Sequence, residues 1–197
     1  GELDTLTIRE TMTVFELLIE KIRALKGALV VSQGNGKAKS ITTRGTDYVI
    51  EIEDDISFVP DDFVRFQMFS GKQMRFYWVK VKAVEDNSIV VPVSEFNGVI
   101  PSIGDDLVQM GNETNALRQA LLYISASEDG KPRFDVLSGV NSKSLAGCLK
   151  VRVGCLDGID DPDFPADYQP SGYGLYGFNV FLKGVFVLRN GKTVEEE

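Results

Sequence analysis

Five aspartates crowd one segment, "DGIDDPDFPADYQPSGYG": Asp157, Asp160, Asp161, Asp163 and Asp167. Clustered carboxylates are what a calcium ion takes as ligands. Their spacing matches no calcium-binding loop, and the prolines among them favour a solvated, irregular acidic loop over residues 157–171. Histidine is absent, which excludes Ser-His-Asp and Cys-His catalysis and every histidine-ligated metal. The two cysteines, Cys148 and Cys155, are too few for a disulfide framework or a four-cysteine zinc site. On one strand their odd separation points them to opposite faces, so they read as free, buried thiols.

Phosphate chemistry fails on spacing. A phosphate-binding loop needs glycine five positions before its Gly-Lys-Ser/Thr. Phe186 stands there for Gly191, Lys192 and Thr193; Val31 stands there for Gly36 and Lys37, which Ala38 follows. No G-x-S-x-G elbow occurs. Many carboxylates leave a glycosidase-type pair without support from spacing, so a hydrolase stays only as a third class. The chain reads as non-enzymatic, with no catalytic residue, no metal and no cofactor assigned.

The composition frames this. At 197 residues the chain has room for one large domain or several small ones. Its 43% hydrophobic and 25% charged residues are those of a folded globular protein. A net charge of −8 argues against nucleic acid as partner, and no apolar run reaches membrane-spanning length. The chain opens with Gly1 and Glu2 rather than Met, which reads as a fragment excised from a longer protein with a tag remnant.

Stepping along the elements, Thr13 and Glu16 fit a capping box, and the run to Lys26 with Gly27 beyond predicts a helix. Phe15, Leu18, Ile22 and Leu25 form its apolar stripe, for packing on its own domain or for a coiled-coil seam. "ALVVSQGNGKAKSIT" predicts a hairpin turning at Gly34, Asn35 and Gly36. "DYVIEIE", "DFVRFQMF", "RFYWVKVKAVE" and "SIVVPV" read as strands. Phe76, Trp78 and Lys80 alternate against Tyr77, Val79 and Val81, so both faces carry apolar residues and the strand is expected to be central. "DDFVRFQM" from residue 61 is echoed by "DDLVQMGN" from residue 105, a weak repeat. "ALLYISAS", "RFDVLSGV" and "LKVRVGCL" are further strands, and "NETNALRQ" a helical turn or loop.

The last stretch, "GYGLYGFNVFLKGVFVLRNGK", is aromatic and aliphatic, broken only by glycines. It reads either as a strand or hairpin closing its own sheet or as rungs of an intertwined β structure, because a doubly apolar edge left open is a liability. The fold class expected is mainly β with one N-terminal amphipathic helix. Small OB- or SH3-like barrel or curled meander modules lead to a terminal long strand or hairpin. The organisation expected is residues 1–46 (strand, helix, hairpin), 47–100 (barrel module) and 101–197 (second β module with the acidic loop).

Three stretches carry a resemblance: "LTIRETMTVFELLIEKIRALKGALVVS", the Gly-Asp strand start with "RQALLYISAS" downstream, and the terminal glycine-aromatic run. Together they resemble minor structural proteins of phage and prophage tails, the tail fibre or tail tip. The resemblance implies a homotrimeric, β-rich tail component with no catalytic residues, made in the host cytoplasm and extracellular when functional. It implies other tail proteins as partners and a host surface glycan as the receptor class. Gly172, Gly174, Gly184, Leu175, Asn179 and Leu182 are its architectural positions, and a single copy of the signature encodes no long shaft. Oligomer contacts are expected at Phe15, Leu18, Ile22, Leu25, Phe178, Val180, Leu182 and Phe186. Tyr168 and Tyr173, beside the acidic loop, are the candidate ligand contacts, since aromatic faces stack on sugar rings. The rival reading is a monomeric extracellular carbohydrate- or protein-binding β module.

Overall fold

Tyr77, Val79 and Val81 are almost fully buried, while Phe76 and Trp78, one residue out of phase, are half-buried. Such alternation places a strand between two unequal layers, and it recurs along the chain. The computed structural model describes residues 22–25, 28–70, 73–126, 130–181 and 183. The strands are β1 Ile22–Leu25, β2 Ala28–Val31, β3 Asn35–Arg44, β4 Asp47–Ile52, β5 Asp62–Ser70, β6 Gln73–Lys80 and β7 Ala83–Glu85. They continue with β8 Ser88–Pro92, β9 Asp106–Asn112, β10 Ala120–Ser125, β11 Arg133–Ser138, β12 Leu149–Cys155 and β13 Tyr173–Gly177.

The strands form two antiparallel sheets. One runs β1-β2-β10-β11-β12-β13, the other β6-β5-β9-β3-β4-β8-β7. The fold is therefore mainly β, as the sequence predicts. The second sheet draws its strands from residues 35–112, so it is inserted between the two halves of the first. It curls around a core of Ile50, Ile52, Phe58, Val64, Phe66, Tyr77, Val79 and Phe96. Of the barrel or curled meander expected, a closed barrel is not formed: β6 and β7 are the two ends of the curled sheet and do not pair. A 3-10 turn, Val93–Phe96, fills the gap with Phe96, whose ring meets Tyr48 at 5.2 Å and Tyr77 at 4.9 Å. The Glu95 carboxylate in that turn accepts the Lys80 N–H at 2.7 Å, satisfying a backbone donor on an edge strand.

The other face of β5 and β9 packs on the first sheet. Val108 and Met110 meet Val30, Leu121, Tyr123, Leu137, Val140 and Cys148, with Trp78, Leu145 and Leu149 at the margin. Two predicted features change here. The strand through Trp78 is an edge in hydrogen bonding although layers flank it on both faces. The hairpin predicted at Gly34, Asn35 and Gly36 is absent: β2 and β3 belong to different sheets. The glycine serves packing instead, because a Cβ on Gly36 would fall 2.4 Å from Ile52 Cγ2.

Ile22 and Leu25 are also corrected. They lie in β1, antiparallel to β2 with Ile22 opposite Val31 and Leu25 opposite Ala28, rather than in a helix. Strand pairing with β2 here overrides a helical period of only a few turns. The rest of the predicted helix, with Phe15 and Leu18, lies outside the described residues.

The sequence echo at residues 61 and 105 has a structural counterpart shifted by one residue. Asp62 closes a turn by its N–H to Val59 O, and its carboxylate accepts the Val59 N–H at 2.9 Å. Asp105 does the same with Ser102. The third turn residue is left-handed in both, Asp61 at φ 66° and Gly104 at φ 86°, as a type II turn requires. Each buried aspartate then binds an arginine. Asp62 takes Arg118 Nε and Nη2 at 2.9 and 2.7 Å and Asn112 Nδ2 at 2.9 Å. Asp105 takes Arg75 and the Tyr77 hydroxyl, the latter at 2.8 Å. Burial and then the Asp105 charge push the Tyr77 phenol far above its ordinary value, so it stays a donor.

Candidate functional site

Two surfaces stand apart from the packing just described, and both belong to the first sheet. On its inner face Val30, Leu121, Tyr123, Asp135 and Leu137 are buried. The alternate positions form two apolar rows running across the strands. Val31, Leu122, Val136 and Val151 are successive cross-strand neighbours, as are Leu29, Ile124, Phe134, Val153 and Leu175. All nine are half-buried or exposed, Val153 and Leu175 being 49% and 54% exposed, and none belongs to either core. A solvated sheet face ordinarily carries polar residues at such positions. Ile22 and Ala24 continue the rows by register into β1. At the far edge β13 has no strand beyond it among the described residues.

The second surface is a cleft of about 360 Å³ between β12, β13 and the loop that joins them. That loop is acidic but ordered. Leu156 N–H donates to Gly172 O, and Gly172 N–H to Asp157, which cinches the base. The Gln169 amide accepts the Asp161 N–H and donates to Asp161 O and Phe164 O, each at 2.9 Å. Asp161 Oδ1 accepts the Asp163 N–H. The aspartates thus make turns, which is the ordinary reason for the residue in loops. Among the described residues no three acidic or cysteine side chains gather as a metal site.

Arg152 on β12 and Tyr176 on β13 are cross-strand partners and share the cleft wall. The Tyr176 hydroxyl donates to Asp161 Oδ2 at 2.7 Å. That bond, with some burial, pushes the phenol up to about 12 and, with the Asp163 N–H, holds the Asp161 carboxyl below the usual range. Asp161 is therefore ionised at neutral pH and acts as an acceptor; a glycoside-cleaving acid needs the opposite shift. The Phe178 ring stands edge-on to Tyr176 at 6.1 Å, with Lys150 Nζ 4.9 Å from its centroid. Aromatic edges beside two carboxylates and an arginine suit a hydroxylated ring: apolar C–H faces on Phe178, hydroxyls on Asp160 and Asp161.

Tyr168 and Tyr173 are 77% and 72% exposed, and neither borders this cleft. Tyr168 ends the 3-10 turn Ala166–Tyr168, and Tyr173 opens β13 opposite Cys155. Of the expected oligomer contacts, Phe178 and Val180 are exposed, Phe178 at the cleft rim. Leu182 and Phe186 lie outside the described residues. The two-row face and Tyr176 escaped sequence reasoning. The signal for the face was present in the unbroken apolar run Ala120 to Ile124 of β10, whereas Asp135 interrupts β11; nothing in the sequence marked Tyr176 as the partner of Asp161. No family model, curated protein or solved structure matches this chain.

Proposed function

We propose that the chain is a non-enzymatic structural and adhesion module of a phage or prophage tail. It assembles as a homotrimer through the outer face of the first sheet and presents the acidic-loop cleft to a host surface glycan. The observation that carries this reading is the pair of apolar rows across β2, β10, β11, β12 and β13. An apolar sheet face of this breadth is the chemistry of an interface, in which a neighbouring copy supplies the cover. The terminal glycine-aromatic signature adds the family resemblance.

The test is solution mass by light scattering over a hundredfold concentration range, for the natural chain and for Val136→Asp. A trimer that Val136→Asp converts to a monomer with an unchanged melting temperature is expected. A concentration-independent monomer, in which Val136→Asp lowers the melting temperature instead, means the face is covered within one chain and ends the trimer reading. The monomeric extracellular binding module would then lead, since the cleft alone supports it.

The cleft gives its own expectation. Phe178→Ala is expected to weaken binding of a recognised oligosaccharide at least tenfold, about 1.4 kcal/mol by the usual conversion, and to leave the melting temperature unchanged, because the ring is exposed. Calorimetric titration checks it; equal affinity in the variant removes the cleft as the sugar site.

A further inference from the structure

A second cleft, of about 160 Å³, opens where the two sheets meet, and it shares Leu149 and Arg152 with the first. Its apolar side is Leu137, Leu145 and Leu149; its charged side is Arg65, Arg133, Arg152 and Asp135. Among the described residues Asp135 is the only carboxylate in this lining, against three guanidinium groups. It is already committed: Arg152 grips it with Nε and Nη2 at 2.6 and 2.7 Å, and Arg133 Nε reaches it at 3.2 Å.

Arg65 is different. Among the described residues no carboxylate is its partner, and its hydrogen bond runs from Nη2 to the amide of Gln67 at 2.7 Å. Its guanidinium carbon lies 5.2 Å from the Phe76 ring centroid and 5.8 Å from that of Trp78, within cation–π reach of both. The Arg65 Nε and Trp78 Nε1 protons, on cross-strand neighbours, are both buried without an acceptor among the described residues. Buried donors of this kind are rare and mark a ligand or strain. Attraction to the two rings explains the position of Arg65 but gives its Nε proton nothing to bind.

We propose that this cleft binds one small oxyanion, a sulfate, phosphate or carboxylate group, with Arg65 as its principal contact. The lining has an excess of positive charge in an otherwise acidic protein. Partial burial strengthens charge-assisted bonds, and a guanidinium fork matches two oxygens at once. The volume equals about five waters at ~30 Å³ each, enough for a group of four or five heavy atoms.

Trp78 is the single tryptophan and the cross-strand neighbour of Arg65, so its emission reports on the surroundings of that residue. The whole chain is titrated with sodium sulfate, phosphate and acetate in the low-millimolar range, against sodium chloride at matched ionic strength. A saturable change in emission with at least one oxyanion is expected, accompanied by a rise in melting temperature that chloride does not produce. Which of the three saturates first separates tetrahedral from planar ligands. Arg65→Met is expected to weaken that binding at least tenfold, and Arg65→Lys, which keeps the stem and charge, by less. A response that follows ionic strength alone, or an Arg65→Lys or folded Arg65→Met protein that binds as the natural chain does, overturns the site. Because the titration reads neither oligomer mass nor glycan binding, its failure leaves the tail-module reading standing, and the reverse holds.

Discussion

Arg118→Met is expected to destabilise the protein by about 3–5 kcal/mol, the range for removing one partner of a buried ion pair. For a chain of this size that lowers the melting temperature by roughly 6–20 °C. Asp62 is 0% exposed, and the two Arg118 bonds are half of the four donations its carboxylate receives. The same guanidinium also donates to Ser57 O at 2.9 Å, and Gln109 Nε2, fully buried, donates to Arg118 O at 2.7 Å. With the arginine gone, the carboxylate keeps only Asn112 and the Val59 N–H, and water cannot reach it. Arg44 offers the contrast: its fork holds Glu85 with two 2.8 Å bonds, yet both side chains are about half exposed. Arg44→Met is expected to cost far less than Arg118→Met, because solvent screens the exposed pair. Chemical denaturation of both variants decides the matter. Equal losses would mean that burial of Asp62 does not set the strength of the pair.

Gly111→Ala is expected to cost about 3 kcal/mol, at the upper end for overpacking. A Cβ there would lie 2.3 Å from Val140 O and 2.6 Å from Val140 Cγ1. The carbonyl cannot swing aside, since it accepts the Asn112 N–H at 3.1 Å while Val140 N–H donates to Gln119 O at 3.0 Å. Gly111 is where the backbone of β9 touches the first sheet's connecting loop, so the added methyl forces the layers apart. Gly174→Ala is the control: its nearest contact, 3.2 Å, is the Leu156 Cδ1 methyl, which can move. The urea midpoint should fall for Gly111→Ala and barely move for Gly174→Ala. Equal midpoints would show that the layers can separate without penalty. Adding Val140→Ala to Gly111→Ala is expected to recover only part of the loss, since the carbonyl clash stays.

Strands were legible because alternation is local: Tyr77, Val79 and Val81 against Phe76 and Trp78 needed no knowledge of partners. Pairing was not legible. The Gly34–Asn35–Gly36 run has the composition of a hairpin turn, but Gly36 answers to Ile52 in β4 and Gly34 to Ser57, Gln109 and Arg118, all outside the run. Ile22 and Leu25 fit a helical stripe that β2 overrules. The acidic loop was placed correctly between two strands, yet its shape depends on the amide of Gln169, an ordinary residue with nothing to distinguish it in sequence. Choosing Tyr168 and Tyr173 over Tyr176 follows from that. Three tyrosines in nine residues are equivalent until the loop folds back and selects the one that reaches Asp161.

The insertion of one sheet inside the other has a consequence for the order of synthesis. β2 borders β10, which emerges from the ribosome about ninety residues later, after the whole curled sheet has been made. At roughly 5–20 residues per second that is on the order of 5–20 s. Through that interval the Ala28–Val31 strand has at most the β1 hairpin, a two-stranded unit that is marginal alone. The curled sheet, finished first, becomes the template on which the early and late halves of the chain are brought together. Translation speed and chaperone access during those seconds, more than the stability of the finished protein, then set the yield of correctly folded chains.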